Sequence, residues 1–133
     1  MDQAKFIHYK VDVPTIDEDH LRIFTILENM KWKYTDEEMI RLLVSELESL
    51  LEFHFADEEK YMEQMGFPYI AAHRNAHAEL LYFIQGLMKR MDIKQGYSIK
   101  YIADTVSKQF SHHIDWHDMQ YAEFAKKQSK EGS

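Results

Sequence analysis

Two pairs of metal-capable side chains stand four residues apart in this chain: His54 with Glu58, and His73 with His77. Residues i and i+4 share one face of a helix, so each pair presents two donors in one direction. That direction is inward. Ile40, Leu43, Leu47, Leu50 and Leu51 form an apolar row that His54 and Glu58 continue and that Tyr61, Met62 and Met65 extend. Ile70, His73, His77, Leu80, Leu81, Ile84 and Met88 form a second row. A carboxylate in a core row is expensive unless it is paired or metal-bound. Imidazole and carboxylate together suit iron, zinc, copper or nickel.

Two further rows repeat the pattern. His20 lies among Ile16, Ile23, Phe24, Leu27 and Met30, and His113 among Ile99, Ile102, Val106, Phe110 and Ile114. A single core histidine is usually a hydrogen-bonded structural residue. Six inward polar groups are different. At about 1–3 kcal/mol each, they would strain a domain whose whole margin is about 5–15 kcal/mol. A shared metal centre removes the conflict. The spacing is not that of ferritin-like sites, because no glutamate is followed by histidine three residues on. The His-Glu-x-x-His zinc motif is absent too.

The elements that must carry these residues are helices. Residues 1–14 read as an extended arm, with Phe6, Ile7, Tyr9, Val11 and Val13 packing on helices and Pro14 ending it. The first helix begins near Thr15, capped by Thr15 with Glu18 or by Asp17. The pattern breaks at Lys33-Tyr34. Thr35 with Glu38 then marks a second start near Asp36, and that helix reaches Gln64 or Met65. Gly66 stops it, and Pro68 opens a third helix running to Met91. Ser98 caps the fourth, which runs to Tyr121 or a little beyond, and the polar tail 126–133 should fray. The fold class is therefore all-α: an up-down-up-down antiparallel four-helix bundle over 15–125 with the arm before it. In such a bundle His20 (early), Glu58 (late), His73 (early) and His113 (late) all fall at one end.

Composition sets the outer limits. A length of 133 residues suits one domain, and 45% hydrophobic residues can fill a core. A formal charge of −7 argues against a nucleic-acid partner. The absence of cysteine excludes disulfides, thiolate metal sites and thiol catalysis. With no apolar run fit for a signal peptide or a membrane span, a cytoplasmic protein without membrane insertion is expected.

Together these residues resemble the hemerythrin family, in particular its single-domain bacterial members. The resemblance is carried by Ile16-Asp17-Glu-Asp-His20, by His54-Phe55-x-x-Glu58-Glu59-x-x-Met62, by Gly66-Phe67-Pro68 with His73-x-x-x-His77, and by His113-Ile114-x-x-x-Asp118. It implies a non-haem, oxo- or hydroxo-bridged centre of two iron ions that binds dioxygen reversibly. By the family motif, His73, His77 and His113 would bind one iron, His20 and His54 the other, and Glu58 and Asp118 would bridge them. The helical row alone does not reach Asp118, five residues after His113 and about 140° round an ideal helix; a local widening would bring it in. On spacing alone His117 competes with it. His8, His112 and His117 have no counterpart as ligands. Where the family usually has tryptophan, this chain reads Phe6-Ile7-His8-Tyr9 and Gln109-Phe110-Ser111-His112, so packing around the oxygen pocket differs.

The implied ligand set fills the iron held by three histidines and leaves one position open on the other. Phe24, Leu51, Phe55 and Ile114 are the residues expected to wall that position off from water. The favoured function is an oxygen carrier, store or sensor rather than an enzyme. A di-iron enzyme acting on peroxide or nitric oxide is the alternative, and a metal-free structural bundle the remote one.

Overall fold

The computed structural model describes residues 9–33 and 36–131. Four rods make up the fold: α1 (Pro14–Trp32), α2 (Glu37–Met65), α3 (Ile70–Arg90) and a composite fourth. The fourth rod is α4 (Gly96–His113), a π-helical turn (Ile114–Asp118) and α5 (Met119–Glu131). Among the described residues there is no strand. Each rod packs on two neighbours, α1 and α3 both lying between α2 and the fourth. Neighbours run antiparallel: His20 early in α1 meets Glu58 late in α2, and Glu63 late in α2 meets Arg74 early in α3. Lys31 and Asp104 pair the end of α1 with the first half of α4. The buried rows follow those of the sequence, with Ile40, Leu43, Leu47 and Leu50–Leu51 on α2 and Leu80, Ile84 and Met88 on α3, whereas Tyr61, Met65, Ile70 and Leu81 of the same rows are only half-buried.

The rods end where local chemistry ends them, with some differences from expectation. α1 starts at Pro14 itself, whose missing N–H and fixed φ suit a first helical position. Neither Thr15 nor Asp17 caps it. Asp17 Oδ1 instead accepts from the Val11 N–H at 2.6 Å and so ties the arm to the helix. Asp12, with φ at 65°, makes the bend between them. Tyr9 and Val11 of the arm are buried, whereas Phe6, Ile7 and His8 lie outside the described residues. Asp36 caps α2 by accepting from the Glu38 N–H; Thr35, expected to share that role, also lies outside them. Gly66 takes the left-handed conformation (φ 70°) after Met65. Its N–H reaches the Glu63 carbonyl and that of Phe67 the Met62 carbonyl, satisfying two of the end carbonyls of α2.

Pro68 belongs to the turn before α3, two residues outside the helix it was expected to open. Ser98 does not cap α4. Its hydroxyl accepts from the Asp92 N–H within the preceding loop, and the helix begins at Gly96. The chain beyond 125 is helical to Glu131 rather than frayed. Tyr121 and Ala122 are buried, and Phe124 packs on Phe67 with ring centroids 5.6 Å apart. Gln128 Nε2 donates to the Met65 carbonyl at 3.1 Å, another end carbonyl of α2. α5 is therefore pinned to the end of α2. No helix among the described residues is long and apolar enough to cross a membrane.

Candidate metal centre

All seven residues singled out in the sequence arrive at one end of the bundle, and all are buried. His20, His54, Glu58 and Asp118 have no exposed surface, and His73, His77 and His113 have 2–4%. Asp118 gets there through the π turn. The Met119 N–H reaches back five residues to the Ile114 carbonyl. The wider turn rotates Asp118 under His113 and leaves His117 half-buried at its edge.

The two carboxylates divide the imidazoles between their oxygens. Glu58 Oε1 lies 2.8 Å from His77 Nε2 and 3.8 Å from His73 Nε2. Glu58 Oε2 lies 3.6 Å from both His20 Nε2 and His54 Nε2. Asp118 Oδ1 lies 2.9 Å from His73 Nε2 and 3.2 Å from His113 Nε2, while Oδ2 faces His20 Nε2 at 3.4 Å. Glu58 thus faces the histidine triad with one oxygen and both His20 and His54 with the other, while Asp118 faces the triad with Oδ1 and His20 with Oδ2. Two groups have donor atoms within 4.8 Å of one another: Glu58, His73, His77, His113 and Asp118, and His20, His54 and Glu58.

Most of these atoms satisfy nobody else. Nε2 of His20, His54, His73 and His113 and both Asp118 oxygens are buried without a hydrogen-bond partner. Several are near in distance, such as His73 Nε2 and Asp118 Oδ1 at 2.9 Å, but lack hydrogen-bonding geometry. Unsatisfied buried polar atoms are rare in folded proteins. Six at one place, all nitrogen and carboxylate oxygen, fit a metal centre.

A second layer holds the rings with Nε2 inward. His20 Nδ1–H donates to the Tyr9 carbonyl at 2.6 Å, the arm's contribution to the site. His54 Nδ1 lies 3.3 Å from Asp19 Oδ2 and His77 Nδ1 2.8 Å from Glu59 Oε2. Arg74 holds Glu59 in turn at 3.5 Å. Such partners fix the ring and strengthen the inward nitrogen as a donor. The Tyr121 hydroxyl donates to Glu58 Oε2 at 2.7 Å. Burial first, then the charges of Glu58 and Asp118, push the Tyr121 phenol far up, so it stays protonated.

Without metal the centre is an ion-pair cluster. Burial favours the neutral imidazole of His20, but the neighbouring Asp118 and Glu58 outweigh it and raise its pKa to about 10. The same balance raises His73 to about 9. Burial pushes the other way on Glu58, yet the surrounding histidines, His54 foremost by charge, hold it well below the usual carboxylate range. Asp118 is depressed too: burial and Glu58 act against it, and His113 and His20 prevail.

The expected pocket residues are all buried: Phe24 at 6% exposure, Phe55 at 4%, Leu51 and Ile114 at 0%. Phe55 stacks on His77 with centroids 4.2 Å apart. Phe24 meets Phe110 edge-on at 5.4 Å. Phe110, placed in the core row and in the stretch where packing around the pocket was expected to differ, is the ring that covers the histidine pair. Its centroid lies 5.5 Å from His20 and 6.2 Å from His54. Tyr121, Glu59, Asp19 and the Tyr9 carbonyl were not foreseen either. Tyr121 follows Asp118 by three residues, a helical spacing that could have flagged it. The others depend on which rod faces which.

Residues 11–125 match the family described as hemerythrin HHE cation binding domain. The chain belongs to the hemerythrin family. Within that family, the chain is 27% identical over 120 residues to the bacteriohemerythrin of Clostridium acetobutylicum, covering 85% of this chain and 93% of that protein. It is 28% identical over 120 residues to the bacteriohemerythrin of Stenotrophomonas maltophilia, covering 87% and 76% respectively. The match to that of Campylobacter jejuni, 28% over 76 residues, spans 55% of this chain and 57% of that relative's length. No solved structure matches the chain significantly. A hemerythrin domain with a buried cluster of histidine, glutamate and aspartate thus accounts for the inward polar residues as a metal centre.

Proposed function

We propose that this chain holds two iron ions and binds dioxygen reversibly, as a carrier, store or sensor and not as an enzyme. The observation that carries the reading is that Glu58 belongs to both donor groups, one with His73, His77, His113 and Asp118 and one with His20 and His54, while Asp118 Oδ2 reaches towards the second through His20 at 3.4 Å. His73, His77 and His113 would hold one ion with Glu58 Oε1 and Asp118 Oδ1. His20 and His54 would hold the other with Glu58 Oε2 and Asp118 Oδ2. When bound, the ferrous pair supplies the electrons for reversible dioxygen binding. The pair side offers one imidazole fewer, so an ion held there would have room left for dioxygen, beside Phe110 and the Phe24 ring that meets it. Together with Leu51, Phe55 and Ile114, these side chains exclude water. The nearby phenol of Tyr121 is committed to Glu58, which keeps its proton from the pocket. A dry pocket favours release of oxygen over its reduction. A single cytoplasmic domain over 1–133, with no nucleic-acid partner, completes the reading.

Anaerobic diferrous protein titrated with oxygen and followed by absorbance tests it. The expected result is a new visible spectrum that reverts to the starting one when oxygen is removed. Rapid one-way conversion to the diferric form would overturn carriage in favour of an enzyme acting on oxygen, peroxide or nitric oxide.

A further inference from the structure

A surface cavity of about 200 Å³ opens between α3 and the fourth rod beside the centre. Its inner wall is His113, which at 4% exposure is the least buried of the seven donors. Its other polar walls are Glu79, Gln109, His112 and His117. These side chains form a series in depth. Glu79, Gln109 and His112 are exposed, His117 is half-buried, and His113 is buried. The His117 ring lies 5.1 Å from that of His113 and 5.8 Å from that of His73, against the triad itself. The centre's seven donors leave His117, His112 and Glu79 unused.

We propose that this cavity is the loading route for a divalent metal ion, with Glu79 and His112 at the mouth and His117 passing the ion to His113. The inference rests on the metal reading of the centre. A hydrated ion must shed water stepwise to enter a closed site, and imidazole and carboxylate placed along the way replace that water one ligand at a time. The net charge of −7 favours the approach of a cation. On the side of the histidine pair the corresponding cavity is about 270 Å³ and reaches Asp19 behind His54. None of the seven donors forms its wall, and Lys60 lines it.

The test uses the full metal-free chain under anaerobic conditions. Ferrous iron is added, a ferrous chelator quenches samples at intervals, and protected iron per chain is counted. The double variant His117→Ala, Glu79→Gln should load at least about tenfold more slowly and reach the wild-type iron content. Chelator-driven release from the loaded form should slow in parallel. Ala76→Phe, which narrows the same cavity while keeping every donor, should also slow loading, and Gln64→Phe in the opposite cavity should not. Unchanged rates in the first two variants, with wild-type iron bound, would overturn the route alone. A lower final iron content in the double variant would also overturn it, by making His117 or Glu79 part of the centre. A wild-type chain that takes up no iron would instead bring down the metal reading beneath it.

Discussion

Glu58→Ala should reduce bound metal from two ions per chain to one at most. The carboxylate is fully buried, and its two oxygens face different histidine groups. Removing it takes a donor from both positions at once. It also breaks a buried ionic cluster, and removing one partner of a buried pair is worth about 3–5 kcal/mol. Some of the lost metal could then reflect poor folding. Glu58→Gln separates the two effects. It keeps the shape and an oxygen acceptor for Tyr121 but lacks the charge needed for bridging. The Gln variant should fold, by circular dichroism and thermal melting, yet bind one ion or none. Two ions retained in either variant would refute the bridging role.

The metal-free protein should lose stability as pH rises, opposite to the loaded one. His20 stands at about 10 and His73 at about 9 in the folded chain against an ordinary 6.5. A raised folded pKa means the folded state holds the proton more tightly. Their stabilisation is complete below pH 6.5 and is lost as pH climbs through 9 to 10. Glu58 and Asp118 are shifted downward, so their stabilisation is complete above about pH 4.5 and is lost on acidification through their depressed values. The metal-free Tm should peak between about pH 4.5 and 6.5. Losing most of the His73 charge and about half of the His20 charge by pH 10 should lower it by about 10 °C. Metal reverses this dependence, because a histidine must be unprotonated to bind it. The loaded form should release metal on acidification and keep its Tm in mild base. Loading at pH 7 should also release protons, measurable with an indicator dye. A metal-free Tm that rises between pH 7 and 10 would show that the two imidazoles are not charged in the fold.

Much of this was legible in the sequence because two periodicities agree. The spacing that makes a helix amphipathic also places His54 and Glu58, or His73 and His77, on the buried face. The antiparallel order then brings four rods' polar residues level. Where that spacing fails, reading from periodicity fails too. Asp118 falls off the 3.6-residue row and is recovered only by the family motif, because the π turn that aims it has no signal in apolar spacing. The helix ends were misplaced by a few residues where a side chain chose a loop partner over a cap, as Ser98 and Asp17 did. The final turns of α5 were expected to fray because their exposed face is polar. What holds them is tertiary: Phe124 against Phe67 and Gln128 on the Met65 carbonyl. Phe110 was visible as a core residue, but its position over His20 and His54 depends on how the fourth rod packs on α1 and α2.

The most direct measurement is the metal content of the wild-type chain. Protein made metal-free, incubated anaerobically with excess ferrous iron and freed of unbound ions should hold two irons per chain by elemental analysis. A well-folded chain that retains none would contradict the account, since six buried, unpartnered nitrogens and oxygens would then have to be tolerated without the ions proposed to satisfy them.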